Sequence, residues 1–150
     1  MRELSAELPD DAATAALAAR VGAAVDGGLV AYLHGPLGAG KSSFARALLQ
    51  SMGVAGRIKS PTYAVVEPYE VPGLAIWHFD FYRFTDPREW EDAGFRDLFG
   101  GPGLKLAEWP ENAAALLPKA DLSLRIEVEP DESRLVTLVA QTPAGRELLP

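Results

Sequence analysis

The sequence predicts an α/β domain, and three observations carry that prediction. A short apolar stretch, Leu29–His34, runs into the glycine-rich GPLGAGKS at residues 35–42. A segment follows in which Phe44, Ala45, Leu48, Leu49 and Met52 recur at helical spacing. Two further apolar stretches, Leu74–Asp80 and Leu104–Glu108, have the length of buried strands, and each ends in an acid. Near the C-terminus, Leu122, Leu124, Ile126 and Val128 alternate with polar residues, as in a strand with one buried face. Strands interleaved with helical patterns of this kind build a sheet with parallel pairing.

Taken in order, residues 10–25 read as an Ala-rich amphipathic helix with acidic residues at its start and a stop at Asp26-Gly27-Gly28. The strand, the glycine-rich loop and its helix follow, and Gly53 closes that helix. Ser60-Pro61-Thr62 then interrupts the pattern before a β-rich run over residues 63–71. Val71-Pro72-Gly73 reads as a turn into the strand ending at Asp80, so the two runs are expected to form an antiparallel hairpin. Residues 81–103 are more polar. Pro87 suits the first turn of a short helix, and residues 100–103 suit a loop. After the strand that ends at Glu108 and Trp109, AAALL before Pro118 reads as a short helix. Residues 130–133 turn between two final strands, the second with Leu135, Thr137 and Val139 on one face and Val136 and Leu138 on the other. The tail from residue 142 carries no clear signal, and no repeat, linker or domain boundary is visible.

Composition narrows the function. At 150 residues and 48% hydrophobic, the chain suits a single domain spanning residues 1–150 with a sizeable core. No apolar run approaches the ~20 residues needed to span a bilayer, and MRELSAELPDD lacks the basic start and apolar centre of a leader, so a soluble, cytoplasmic protein with no membrane role is expected. Zero cysteines exclude disulfides, thiolate metal sites and thiol nucleophiles together. With 21 acidic against 14 basic residues there is no long basic stripe, so any nucleic-acid role is expected to be indirect.

The loop matches G-x-x-x-x-G-K-[ST] at every fixed position, which chance alone produces in roughly half a per cent of chains this long. Such a loop turns successive N–H groups, here around Gly35, Gly38, Ala39 and Gly40, and a helix N-terminus toward one anion. Phosphate is the expected anion, with Lys41 reaching its outer oxygens and the Ser42 hydroxyl supplying one ligand to Mg²⁺. Asp80, at a strand's C-terminal end, stands where a second magnesium partner is expected, and Glu108 is a second strand-end acid. Arg83 reads first as a surface residue and second as a phosphate contact. Trp77 and Trp90 read as packing residues and Trp109, between Glu108 and Pro110, as part of the site. His34 and His78 are too isolated to suggest a metal cluster, and His78 reads as structural.

Together GPLGAGKSSF, SPTY at residues 60–63, HFDFYR at residues 78–83 and EWPE at residues 108–111 resemble the bacterial TsaE (YjeE) family, small ATPases of tRNA threonylcarbamoyladenosine biosynthesis. The likeness covers about residues 30–118. It implies a three-layer P-loop NTPase fold with a mixed, largely parallel central sheet, ATP with Mg²⁺, and action in a complex with TsaD and TsaB, with tRNA reached only through that complex. Residue by residue, it implies phosphate and metal roles for Lys41 and Ser42 and a second hydroxyl at Ser43. It places Thr62 in a switch-like segment, Asp80 and Glu108 near magnesium or the attacking water, and Trp109 in a functional role. The sequence departs from the family pattern at Pro36, at Ser42-Ser43 and at Phe81. Serine keeps the hydroxyl, whereas Pro36 has no N–H to offer a phosphate.

Asp80 and Glu108 are expected to share the work. Asp80, after a buried strand, is expected chiefly to organise magnesium, and Glu108, with its longer arm, to act nearer the γ-phosphate or its attacking water; the reverse is the alternative. Two other readings compete with an ATPase: a small-molecule kinase, for which no lid of arginines is visible, and an ATP-binding switch with negligible hydrolysis of its own. A GTPase is disfavoured by the absence of an Asn-Lys-x-Asp segment.

Overall fold

Leu29, Ala31 and Leu33 alternate with Val30 and Tyr32, and both sets are buried, so the strand they form must be covered on both faces. In the computed structural model that strand is central to a sheet. The structure describes every residue except Met1, Asp26, Arg57, Lys59, Ser60, Thr62, Tyr63, Ala93 and Pro150. Along the chain the strands are β1 (Arg2–Leu8), β2 (Leu29–His34), β3 (Val66–Val71), β4 (Leu74–Asp80), β5 (Leu104–Glu108), β6 (Leu122–Val128) and β7 (Arg134–Ala140). They pair in the order β1-β7-β6-β2-β5-β4-β3. The central pairs β6–β2, β2–β5 and β5–β4 are parallel, and β1–β7, β7–β6 and β4–β3 are antiparallel. Strands β1, β2, β4, β5 and β6 therefore run one way and β3 and β7 the other, a mixed but largely parallel sheet.

The helices are α1 (Asp11–Ala24), α2 (Lys41–Ser51), α3 (Pro87–Asp92), α4 (Phe95–Gly100) and α5 (Pro143–Arg146), with a 3₁₀ turn at Pro110–Ala113. Leu17, Val21, Phe44, Leu48 and Leu49 from α1 and α2 pack with Leu29, Leu33, Leu106, Leu124 and Leu138 on one face of the sheet. Trp90, Phe95 and Phe99 from α3 and α4 pack with Val30, Tyr32, Phe79 and Ala107 on the other. Helix, sheet and helix form the three layers of a P-loop fold. Between α1 and α2 the backbones come close: a Cβ at Gly22 would stand 2.5 Å from Ser51 Oγ.

Asp10 caps α1 by accepting from Ala13 N at 2.9 Å, as the acidic start foretold. The expected stop includes Asp26, outside the described residues; α1 ends at Ala24. The β3–β4 hairpin and the β6–β7 hairpin are both present. Three readings need correction, and one strand carries too weak a signal to read. The N-terminal RELSAEL is strand β1, whose alternation of Leu4, Ala6 and Leu8 is short and half exposed and therefore weak as a signal. Strand β3 starts at Val66, because Val65 has φ 69° and breaks the extended run. The loop expected at residues 100–103 starts one residue later, since Gly100 ends α4. The helix read in AAALL is a 3₁₀ turn that begins earlier, at Pro110, followed by a turn in which Leu116 and Leu117 both donate to the Ala113 carbonyl. Asn112 Nδ2 pins that segment to the Phe81 carbonyl at 3.0 Å, so tertiary contact overrides its Ala-rich propensity. The tail carries structure as well: Thr142 caps α5 (Pro143–Arg146) and Leu148 is buried.

Phe81, one of the departures from the family pattern, is fully buried among Phe79, Phe84, Trp90, Phe95 and Phe99, with ring centroids 5.4 to 6.5 Å apart. Among the described residues no helix is long and apolar enough to cross a membrane.

Candidate functional site

Strand β2 ends at His34, and the chain turns through residues 35–40 into α2. Gly35, Gly38 and Gly40 have φ of 151°, 82° and 110°, values that glycine adopts without strain. At Gly35 there is a second reason: a Cβ would stand 2.4 Å from the Ile126 carbonyl oxygen, so only glycine lets the loop pass over β6. The loop is braced by Ala39 N donating to the Pro36 carbonyl at 3.1 Å and by Arg134 Nε, from β7, donating to the Ala39 carbonyl at 2.9 Å. Helix α2 starts at Lys41 with Gly40 as its cap residue and no side-chain cap, unlike α1. The N–H groups of its first turn therefore face the loop's concavity without a side-chain acceptor, as an anion-binding helix end requires.

Strands β4 and β5 run parallel and in register, Asp80 beside Glu108, so both expected acids reach the same edge of the sheet as the loop. The Ser42 hydroxyl donates to Glu108 Oε1 at 2.9 Å, and His78 Nε2 lies 2.7 Å from Glu108 Oε2. Asp80 Oδ1 accepts from Tyr82 N at 2.9 Å. Glu108, Asp80 and His78 are 1%, 5% and 3% exposed, so these polar side chains are held by the fold and not by solvent. Lys41 is equally buried; its Nζ donates to the Gly35 carbonyl and, at 3.4 Å, to that of Pro36, and stands 3.3 Å from the centroid of the Trp109 ring. Burial lowers the Lys41 pKa, while Glu108, Glu111 and Asp80 pull it upward. Trp109 has φ 54°, the left-handed turn that swings its indole back over Lys41 and to 5.0 Å from the Tyr82 ring.

These groups surround a cavity of about 320 Å³ lined by Gly38, Gly40, Lys41, Ser42, Ser43, Asp80, Glu108 and Trp109, with Leu37 and Tyr82 at its rim. A second cleft of about 370 Å³ shares Gly38, Gly40 and Ser43, adds Ala39, and continues to Leu8, Asp10, Thr14 and Arg134. All the expected site residues that the structure describes thus meet around the loop, while Thr62 lies outside the described residues. Arg83, the second-choice phosphate contact, is exposed and does not line the cavity.

The sequence reading missed three contributors. His78 reads as structural and is buried; its contact with Glu108 has no signal of its own, beyond lying two residues before a strand-end acid and so on the same face. Arg134 had no signal, because its role depends on β7 passing the loop. Glu111, 3.7 Å from His34 Nδ1, ends the EWPE motif, but nothing local tied it to His34. Burial lowers the His34 pKa most, with Glu111 opposing and Arg125 assisting.

The donor set fits magnesium. Ser42, Glu108 and Asp80 offer hard oxygens at one edge of one cavity. Among the described residues no group of three or more His, Cys, Asp or Glu side chains is placed to hold a metal alone. Magnesium matches that arrangement because it takes one or two carboxylates and completes its shell with water and phosphate.

Residues 8–136 match the family described as threonylcarbamoyl adenosine biosynthesis protein TsaE. A Haemophilus influenzae protein named tRNA threonylcarbamoyladenosine biosynthesis protein TsaE is 43% identical over 121 residues, 81% of this chain and 76% of that one. The Bacillus subtilis protein of the same name is 32% identical over 140 residues, 93% of this chain and 87% of that one. The crystal structure of Bacillus subtilis YdiB superposes with a TM-score of 0.84 at 26% identity, covering 98% of this chain and 91% of that one. With the family match over residues 8–136 and relatives 43% and 32% identical over most of its length, the chain belongs to the TsaE family.

Proposed function

We propose that this chain is a Mg²⁺-dependent ATPase that supports threonylcarbamoyladenosine formation on tRNA, in the cytoplasm, as a subunit working with TsaD- and TsaB-type partners. The observation that carries it is the joint placement of an uncapped helix N-terminus, Lys41, the Ser42 hydroxyl and the two strand-end carboxylates around one cavity. Backbone N–H groups of the loop, with Lys41 and Ser43, bind and orient the phosphates. Ser42, Glu108 and Asp80 would hold Mg²⁺, which neutralises phosphate charge when bound. The direct Ser42–Glu108 hydrogen bond favours Glu108 as the acid nearer the metal, with Asp80 organising water beside it, the reverse of the division read from sequence. The cleft that continues past the loop to Leu8, Asp10, Thr14 and Arg134 is the proposed seat of the nucleoside.

The same geometry supports slow turnover by the chain alone. Lys41 is turned onto the Gly35 and Pro36 carbonyls and the Trp109 ring. A partner that rearranges these contacts would raise the rate. ATP turnover measured with and without TsaD- and TsaB-type proteins tests the proposal. Acceleration by the pair supports it, and phosphoryl transfer to a small metabolite by the isolated chain overturns it.

A further inference from the structure

We infer that His78 is a positioning residue, holding the Glu108 carboxylate in the orientation that presents Oε1 to Ser42 and the metal. The inference rests on the reading of the site given above. Glu108 is bonded at both oxygens, to Ser42 Oγ at 2.9 Å and to His78 Nε2 at 2.7 Å, so the plane of its carboxylate is fixed. An ionised carboxylate only accepts, so Nε2 carries the proton in that bond. His78 can do this because it faces the same side of β4 as Asp80, and Asp80 is the register partner of Glu108 on β5.

Stability alone does not account for this histidine. Its other ring nitrogen, Nδ1, is buried with no hydrogen-bond partner among the described residues. A buried polar side chain left half satisfied is a poor stabiliser, because the desolvation of its unpaired atom is not repaid. What the pair does supply is a carboxylate with one oxygen tethered and the other aimed at the start of α2. Second contacts of this kind commonly change metal affinity tenfold or more.

The test compares His78→Gln, whose amide N–H reaches the place of Nε2, with His78→Asn, whose shorter arm does not. Binding of ADP is titrated against Mg²⁺ and, separately, in EDTA. The Mg²⁺ concentration at half-maximal effect should rise about 10- to 100-fold in His78→Asn and stay within about threefold of the parent in His78→Gln, with metal-free binding unchanged in both. Added to Glu108→Gln, His78→Asn should have no further effect. Equal behaviour of Gln and Asn, or an additive double variant, overturns the inference. A readout that needs no nucleotide is ¹⁵N NMR of labelled histidine, practical because the chain has two histidines. His78 should show a proton on Nε2 whose signal moves in Glu108→Gln, and a proton on Nδ1 alone overturns the inference. If the parent protein binds ADP without any Mg²⁺ dependence, the reading of the site fails, and the NMR result still decides whether His78 holds Glu108.

Discussion

Asp80 and Glu108, 28 residues apart in sequence, are register partners on adjacent parallel strands and end them at the same edge of the sheet. Parallel pairing brings both carboxylates to one side of the phosphate loop, where Glu108 accepts from the Ser42 hydroxyl at 2.9 Å and Asp80 accepts from Tyr82 N at 2.9 Å. Their roles are therefore separable. Glu108→Gln is expected to lose at least about tenfold in Mg²⁺-dependent nucleotide affinity together with turnover. Asp80→Asn is expected to lose turnover with a smaller change in metal dependence. Affinity measured against Mg²⁺, alongside single-turnover hydrolysis, distinguishes the two, and a Glu108→Gln variant that keeps its metal dependence contradicts the order.

Lys41→Ala is expected to weaken ATP binding and abolish hydrolysis while the protein stays folded. The lysine is buried against loop carbonyls and the Trp109 ring, an environment that lowers its pKa chiefly by burial. A base whose folded pKa lies below its unfolded one binds fewer protons in the folded state. Its charged form therefore opposes folding at neutral pH, and stability rises as pH climbs toward the unfolded pKa. Thermal melts taken as pH approaches the ordinary lysine pKa of about 10.4 should show that rise in the parent and a smaller one in Lys41→Ala.

Tyr32 donates its hydroxyl hydrogen bond to the Pro118 carbonyl at 2.6 Å, and burial, with Asp121 second, raises its pKa well above the ordinary value. An acid whose folded pKa is raised keeps its proton longer in the folded state, so stability is present below the unfolded pKa of about 10 and falls as pH rises above it. Tyr32→Phe should cost about 1 kcal/mol at pH 7 and flatten the decline above pH ~10. Denaturant titrations at pH 7 and pH 10.5 check both statements.

Phe79 is fully buried and packs against Phe81, Phe95 and Phe99 with centroids 4.6 to 5.6 Å apart. Phe79→Ala should cost about 3–5 kcal/mol and, because Phe79 immediately precedes Asp80, lower nucleotide affinity as well. Asp10→Ala, which removes the cap of α1, should cost only about 1 kcal/mol. Equal losses from the two would contradict the burial seen here.

The sequence by itself determined the phosphate loop, the strand and helix on either side of it, the two strand-end acids and the family, because these rest on local spacing and on residue types that few other backbones need. Tertiary structure decided the rest. Strand order placed β4 beside β5 and made neighbours of Asp80 and Glu108, and no local period encodes that order. Strand β1 exists because β7 offers it an edge, and the 3₁₀ turn after Trp109 exists because Asn112 is tied to the Phe81 carbonyl. His78 looked like a core histidine, since a buried ring and a positioning ring have the same sequence signal. The contact itself, 2.7 Å to a carboxylate on another strand, is made by the tertiary fold alone.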